Sequence, residues 1–226
     1  DLLAFGPHPD DIEIGIDGTV SKQARCGHRV GLCDLTRGEL GSNGTVDERR
    51  SEAEAGAEVL GAAWRENLEW PDGEIGGPDQ IRSAVECLRR SRPATVLIPH
   101  WADRHPDHVA ACQLADQARF WAKLTRTDFS GDPYWPTKMF YYFSIHLRIH
   151  PDPALVFDIS NVIDTKMEAI RCFESQMTTG RSTEHPTALD DIRDRARYWG
   201  WTIGKAYAEP SACREEIGIE SLTSLC

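Results

Sequence analysis

Absences narrow this sequence first. No stretch of it reaches 18 consecutive apolar residues, so no membrane-spanning helix is expected. No cysteines stand as C-x-x-C; the seven thiols, Cys26, Cys33, Cys87, Cys112, Cys172, Cys213 and Cys226, are scattered and odd in number. That pattern speaks against a disulfide framework and for a reducing, cytoplasmic compartment. No run of Lys or Arg appears and the formal net charge is −11, so no nucleic-acid partner is expected. The opening DLLAFG reads as a buried strand and not as a basic leader. No G-x-G-x-x-G follows that strand, which removes the dinucleotide fingerprint.

What is present is 226 residues of ordinary apolar content with seven tryptophans, enough for one packed domain over 1–226. After the first strand, Ile12, Ile16, Val20 and Ala24 recur at a spacing of four and predict a helix to about Cys26. HRVGLCDLT reads as a second strand, and a helix is predicted from Asp47 to Leu60 with Gly61 as its stop. NLEW reads as a short third strand, 79–91 as a helix, and ATVLIPH as a buried parallel strand. Helices are predicted from Pro106 to about Leu124, over 162–176 and over 188–207, with strands at KMFYYFSIH and ALVFDIS. The segment 124–137, rich in Thr, Asp, Gly and Pro, is the expected mobile loop. Strand and helix alternate through the first hundred residues, which implies an α/β fold: a Rossmann-like three-layer sandwich on a mostly parallel sheet.

In such sheets ligands bind beyond the carboxyl ends of the strands. Three of those ends carry dense polar chemistry: GPHPDD, DLTRGELGSNG and PHWADRHPDH. His8 and Asp11 stand three apart across a strand-to-helix turn, and His105 and His108 repeat the spacing around Pro106, a residue suited to the first helical position. Taken singly, an Asp-Asp pair after a strand is ordinarily a helix cap with a first-turn charge, and H-x-x-H is ordinarily surface or core. Their joint position at strand ends that the topology brings together favours a shared metal. Zinc accepts imidazole and carboxylate and needs three protein ligands with one position for water; His8, Asp11 and His108 are the expected set. Asp10 is then placed to take a proton from water, and His105 to face the substrate as a proton donor or polarising group. His100 reads as a supporting residue, and His146 and His150 do not cluster with carboxylates. Arg49 lies on the packed stripe of its helix and points toward the sheet end, where it can anchor a substrate hydroxyl or carboxylate, whereas Arg50 is turned aside. Glu39 and Asn43, in the polar loop before it, are candidates for binding hydroxyls.

PHPDDIEIG, LTRGELGSNGTVDERRSEA and PHWADRHPDH, together with FESQM and YWGWTIGKAYAEP near the end, resemble the PIG-L/LmbE-like zinc-dependent deacetylases, which remove the N-acetyl group from glucosamine derivatives. The later segments look most like the branch that deacetylates N-acetylglucosaminyl-malate in bacillithiol biosynthesis. The resemblance implies an LmbE-like fold, zinc on His8, Asp11 and His108, Asp10 as general base, and His105 as acid or electrostatic partner. It favours Arg49 over Arg50, because the family arginine stands three before a glutamate, here Glu52, and it sets Glu39 near the sugar. A malate aglycone calls for a cation, and Arg104 is the candidate. Some relatives hold the oxyanion with a late tyrosine; here Tyr141, Tyr142 or a residue of a mobile loop are candidates, or His105 acts alone. Other readings are deacetylation of chitobiose or another amino sugar, thiol-conjugate amidase activity, and a carbohydrate-binding protein without catalysis. Homo-oligomerisation is expected because relatives commonly assemble.

Overall fold

The computed structural model describes residues 1–144, 151–219 and 221. Along the chain lie β1 (Leu2–Gly6), α1 (Asp11–Arg25), β2 (Val30–Thr36), α2 (Val46–Leu60), β3 (Trp64–Trp70), α3 (Pro78–Ser91), β4 (Thr95–Pro99) and α4 (Pro106–Ala122). They are followed by β5 (Lys138–Tyr142), β6 (Leu155–Asp158), α5 (Ile163–Arg171), α6 (Glu174–Met177), α7 (Ala188–Thr202) and β7 (Ala208–Ala212). The strands form one sheet in the order β3-β2-β1-β4-β5-β7-β6. β3, β2, β1, β4 and β5 run parallel, and β7 pairs antiparallel with both β5 and β6.

The sheet is covered on both faces, as parallel strands require. Leu3, Phe5, Cys33 and Ile98 face α3 and α4 through Val85, Leu88, Ala111 and Ala115. Ala4, Leu32 and Leu97 face α1 and α2 through Ile12, Ile16, Ala57 and Leu60. Tyr142 is fully buried and donates its hydroxyl to the Phe5 carbonyl at 2.9 Å. Its ring lies so close to Gly15 of α1 that any β-carbon there would strike it, which fixes how near α1 approaches the sheet.

The sandwich, its alternation and the first four strands agree with the sequence reading; the C-terminal third departs from it. The predicted helix over 162–176 breaks into α5 and α6, because Phe173 turns wholly inward at the break and packs against Gly56 of α2. The last helix stops at Thr202, and Ala208–Ala212 becomes β7. AEPSA carries no β-branched residue and contains Pro210, so it lacks the signature of a strand. Pro210 is tolerated because pairing with β5 involves only Ser211 and Ala212. β3 extends back to Trp64, beyond the NLEW core. The loop 124–137 is tied down by Arg89, which is buried and donates to the carbonyls of Ala122, Leu124, Phe129 and Gly131. His146 and His150 lie outside the described residues.

Candidate active site

β1, β2, β3 and β4 are parallel, so their carboxyl ends deliver four loops to one edge of the sheet. The first loop carries His8, Asp10 and Asp11. Asp11 opens α1 and folds back on the turn: its Oδ2 accepts the His8 backbone N–H at 2.9 Å and lies 3.1 Å from His8 Nδ1. Asp10 holds the N-cap position yet makes no side-chain cap hydrogen bond, and its φ is 122°. A non-glycine residue in that region is strained, and here the strain turns the carboxylate away from the helix end it would ordinarily cap.

The fourth loop ends in α4. His105 is its N-cap: Nδ1 accepts the Asp107 backbone N–H at 3.2 Å, with Pro106 in the first turn. A neutral imidazole that accepts at Nδ1 carries its proton on Nε2, so His105 is a donor at its other nitrogen. One turn on, His108 is fully buried, with Nε2 3.1 Å from Asp11 Oδ1 and Nδ1 3.2 Å from Asp103 Oδ2. A carboxylate behind the imidazole is how proteins orient a metal-binding histidine. The rings of His8, His105 and His108 lie with centroids 4.9–5.9 Å apart.

The third loop contributes what the sequence reading passed over. Asp72, just past β3, puts Oδ1 3.0 Å from His8 Nε2, and Asp107 Oδ2 lies 3.2 Å from the same nitrogen. Glu39 accepts the Asp72 backbone N–H at 3.0 Å, so it holds this loop in place from an exposed position. The carboxyl-end rule that singled out the other strands applies equally to WPDGE, and it is the signal that finds Asp72. Asp103 and Asp107 were visible as neighbours of Arg104, but the structure turns both toward the histidines.

Arg49 is 4 % exposed. Its Nη1 donates to the Gly38 carbonyl at 2.8 Å and its Nη2 to the Pro9 carbonyl at 2.7 Å, with Asp10 Oδ1 3.4 Å from Nη2. The guanidinium therefore clamps the first two loops together and stands beside Asp10. Gly38 has φ 67°, and a β-carbon on it would collide with that guanidinium. Arg50 points outward to Glu69, as expected.

These loops enclose a cleft of about 690 Å³ lined by His8, Asp10, Asp11, Arg49, Asp72 and His105, with Gln176, Met177, Arg181 and Asp191 on its far wall. The far wall is anchored to α2: Glu52 accepts from the Ser175 N–H and hydroxyl, each at 2.7 Å. Asn43 lies outside the lining and uses its backbone carbonyl to hold Gln176 at 2.6 Å. Arg104 is exposed and also outside the lining. The structure therefore brings Arg181, and not Arg104, to the cleft. The two tyrosine candidates are likewise elsewhere: Tyr141 donates to Asp116 at 2.6 Å and Tyr142 to Phe5. His100 is buried against Trp101 and stands apart from the ligand cluster.

Electrostatics follow from this crowding. Burial disfavours charge on His8, yet Asp107, Asp11 and Asp72 push its pKa up to about 12. His108 behaves the same way, raised to about 9 by Asp11 and Asp103 against its burial. Burial first, and then the Asp11 charge, raise Asp10 to about 7, while Arg49 and His8 pull it down. Buried carboxylates in this number attract a cation. The donor set suits zinc: two imidazoles and a carboxylate, His8, Asp11 and His108, whose ligating atoms lie within 4.8 Å of one another, with a supporting carboxylate behind His108.

Comparison with known proteins agrees with this geometry. The model of the family "PIG-L: GlcNAc-PI de-N-acetylase" matches residues 3–119. The chain is 32 % identical to the diacetylchitobiose deacetylase of Thermococcus kodakarensis, over 92 % of this chain and 80 % of that protein. The crystal structure of a conserved protein from Thermus thermophilus superposes with a TM-score of 0.90 at 37 % identity, covering 98 % of each chain. A 4-oxalmesaconate hydratase from Pseudomonas putida is 28 % identical over 77 % of this chain and 73 % of its own. With the candidate metal-ligand cluster at the matched strand ends and the fold shared throughout, the chain belongs to the PIG-L family of de-N-acetylases and is an enzyme, an amide hydrolase.

Proposed function

We propose that this protein hydrolyses the N-acetyl group of an N-acetylglucosaminyl conjugate, with zinc held by His8, Asp11 and His108. One observation carries the reading: His8 and Asp11 of a candidate metal triad, a strained, partly buried aspartate and a histidine that accepts at Nδ1 line a single open cleft, with His108 buried directly behind Asp11. When bound there, zinc supplies Lewis-acid polarisation of the acetyl carbonyl and lowers the pKa of water. Asp10 accepts the proton of the attacking water; its carboxylate is partly buried and freed from capping, and a base poised near neutrality suits that task. His105 donates from Nε2 to the departing amine, in the tautomer its Nδ1 contact to Asp107 fixes. Arg49 keeps the Asp10 carboxylate oriented while joining the first two loops.

The malate conjugate of bacillithiol biosynthesis is the finer form of this reading. Arg181, on the cleft wall, is the cation that supports it, in place of Arg104. Its Nε is fixed to the Gln176 carbonyl at 2.9 Å, which leaves the end of the guanidinium to address a carboxylate. Diacetylchitobiose is a second substrate reading, supported by the Thermococcus relative. A single catalytic domain over 1–226, a cytoplasmic location and a homo-oligomer belong to the same proposal. The described cysteines are free thiols, and Tyr198, Trp201 and Ile203 are exposed near the end of α7. Among the described residues no helix is long and apolar enough to cross a membrane.

The test is amine release by the zinc-loaded protein from N-acetylglucosaminyl-malate, diacetylchitobiose and N-acetylglucosamine in parallel. Strong preference for the malate conjugate supports the finer reading, and preference for the disaccharide replaces it with the second. No release from any of the three, with zinc in the site, overturns the reading. Hydration of 4-oxalmesaconate is then the next assay, since the Pseudomonas relative is a hydratase of that compound.

A further inference from the structure

A second cluster of ligating side chains lies away from the cleft, between the sheet edge and α3. Cys33 of β2 and Cys87 of α3 are both fully buried. Glu66 of β3 is the register partner of Cys33, so the two side chains leave the same face of the sheet. Its Oε1 lies 3.1 Å from Cys87 Sγ and 3.9 Å from Cys33 Sγ, and the three ligating atoms all fall within 4.8 Å of one another. Two thiols packed in an apolar core need no carboxylate beside them. Glu66 nevertheless aims one oxygen inward at both, while Arg90 grips the carboxylate from outside at 2.6 and 2.7 Å.

We propose that Cys33, Cys87 and Glu66 form a binding site for a thiophilic divalent cation, zinc or cadmium in class, separate from the hydrolytic centre. Two thiolates and a carboxylate are soft-to-borderline ligands of the kind such cations select. Charge decides between monovalent and divalent ions. The thiolates and carboxylate together bring three negative charges, and Arg90 brings one positive charge. A divalent cation brings the group to neutrality, whereas a monovalent one leaves a net negative charge beside two buried thiolates at high cost. Binding releases two protons, one from each thiol, as the two metal–sulfur bonds form. Burial holds the Cys33 thiol protonated until then, so the metal and not the solvent draws off the proton. The path in is short: β3 is the edge strand, and the Glu66 side chain is 31 % exposed.

Cadmium is the probe, because thiolate-to-cadmium charge transfer absorbs in the ultraviolet and the His/Asp centre contains no sulfur to produce it. Titrating the intact protein should give a saturable band. The band should be lost in Cys33→Ala and in Cys87→Ala. Glu66→Gln, which keeps the size of a partly exposed side chain on the edge strand, should weaken cadmium binding by about tenfold or more, as loss of a metal-supporting group does. A wild-type protein without the band overturns the site, as does a band that survives both cysteine changes or an affinity unaltered in Glu66→Gln.

Discussion

Asp10 joins strain and chemistry in one residue. It keeps φ at 122° and forgoes the cap hydrogen bond its position offers, so the local structure spends stability to hold a carboxylate in the cleft. Asp10→Asn should preserve zinc content while reducing kcat by roughly 10²–10⁴-fold, the range for a positioned general base. Turnover near wild type with the metal in place would remove that role. Arg181→Ala should raise KM for the malate conjugate far more than for N-acetylglucosamine, and equal effects on both would detach Arg181 from aglycone recognition. His8 with Asp11 and His105 with His108 were legible as pairs because the partners stand three positions apart, and Arg49 because the stripe of its helix fixes its direction. Asp72 escaped because its partner, His8, is 64 residues away and only strand order brings the two together. Arg104 and Arg181 changed places for a related reason: nearness in sequence to the histidines does not say which way a loop side chain turns.

α2 carries more of the site than its length suggests. Thr45 and Glu48 form a reciprocal capping box at its start, Gly61 ends it in the left-handed conformation, and between them it presents Arg49 to the loops and Glu52 to α6. Removing the Thr45 hydroxyl in Thr45→Ala leaves the Glu48 N–H without its cap and should cost about 0.5–2 kcal/mol. A shift in the urea midpoint at unchanged slope checks it. This helix was readable from Asp47 to Leu60 because its signals are local: a periodic apolar stripe and a glycine stop. β7 was not, because its conformation is imposed by β5 and β6 and not by its own composition. The break between α5 and α6 belongs to the same class, since what bends the chain is the pocket on α2 that receives Phe173.

Across the whole molecule, buried ion groups tie the layers together. Lys166 of α5 reaches Asp17 of α1 at 2.6 Å and Glu209 of β7 at 3.0 Å, and all three are buried. Glu209 also accepts the backbone N–H groups of Gly18 and Thr19. One turn earlier on the same helix, Arg65 joins Glu13 at 2.6 Å to Asp34, which it grips with two nitrogens at 2.8 Å. Lys166→Met strands two buried carboxylates and should cost about 3–5 kcal/mol. Adding Asp17→Asn should return part of that loss, because one uncompensated charge is then gone. Guanidinium unfolding of the single and double variants measures both effects, and a single variant as stable as wild type would mean that the network adds no net stability.

β7 also sets an order on biosynthesis. Among the described strands, the one that separates β5 from β6 is the last to leave the ribosome, so until residue 212 emerges β6 lacks the neighbour it has in the sheet and β5 keeps a bare flank. Lys166 and Asp17, already synthesised, wait for Glu209 to complete their group. A nascent chain that has assembled its whole hydrolytic edge is therefore still an open sheet, exposed to pairing with its copies on the same message. Residues 208–212 close the fold as a clasp does.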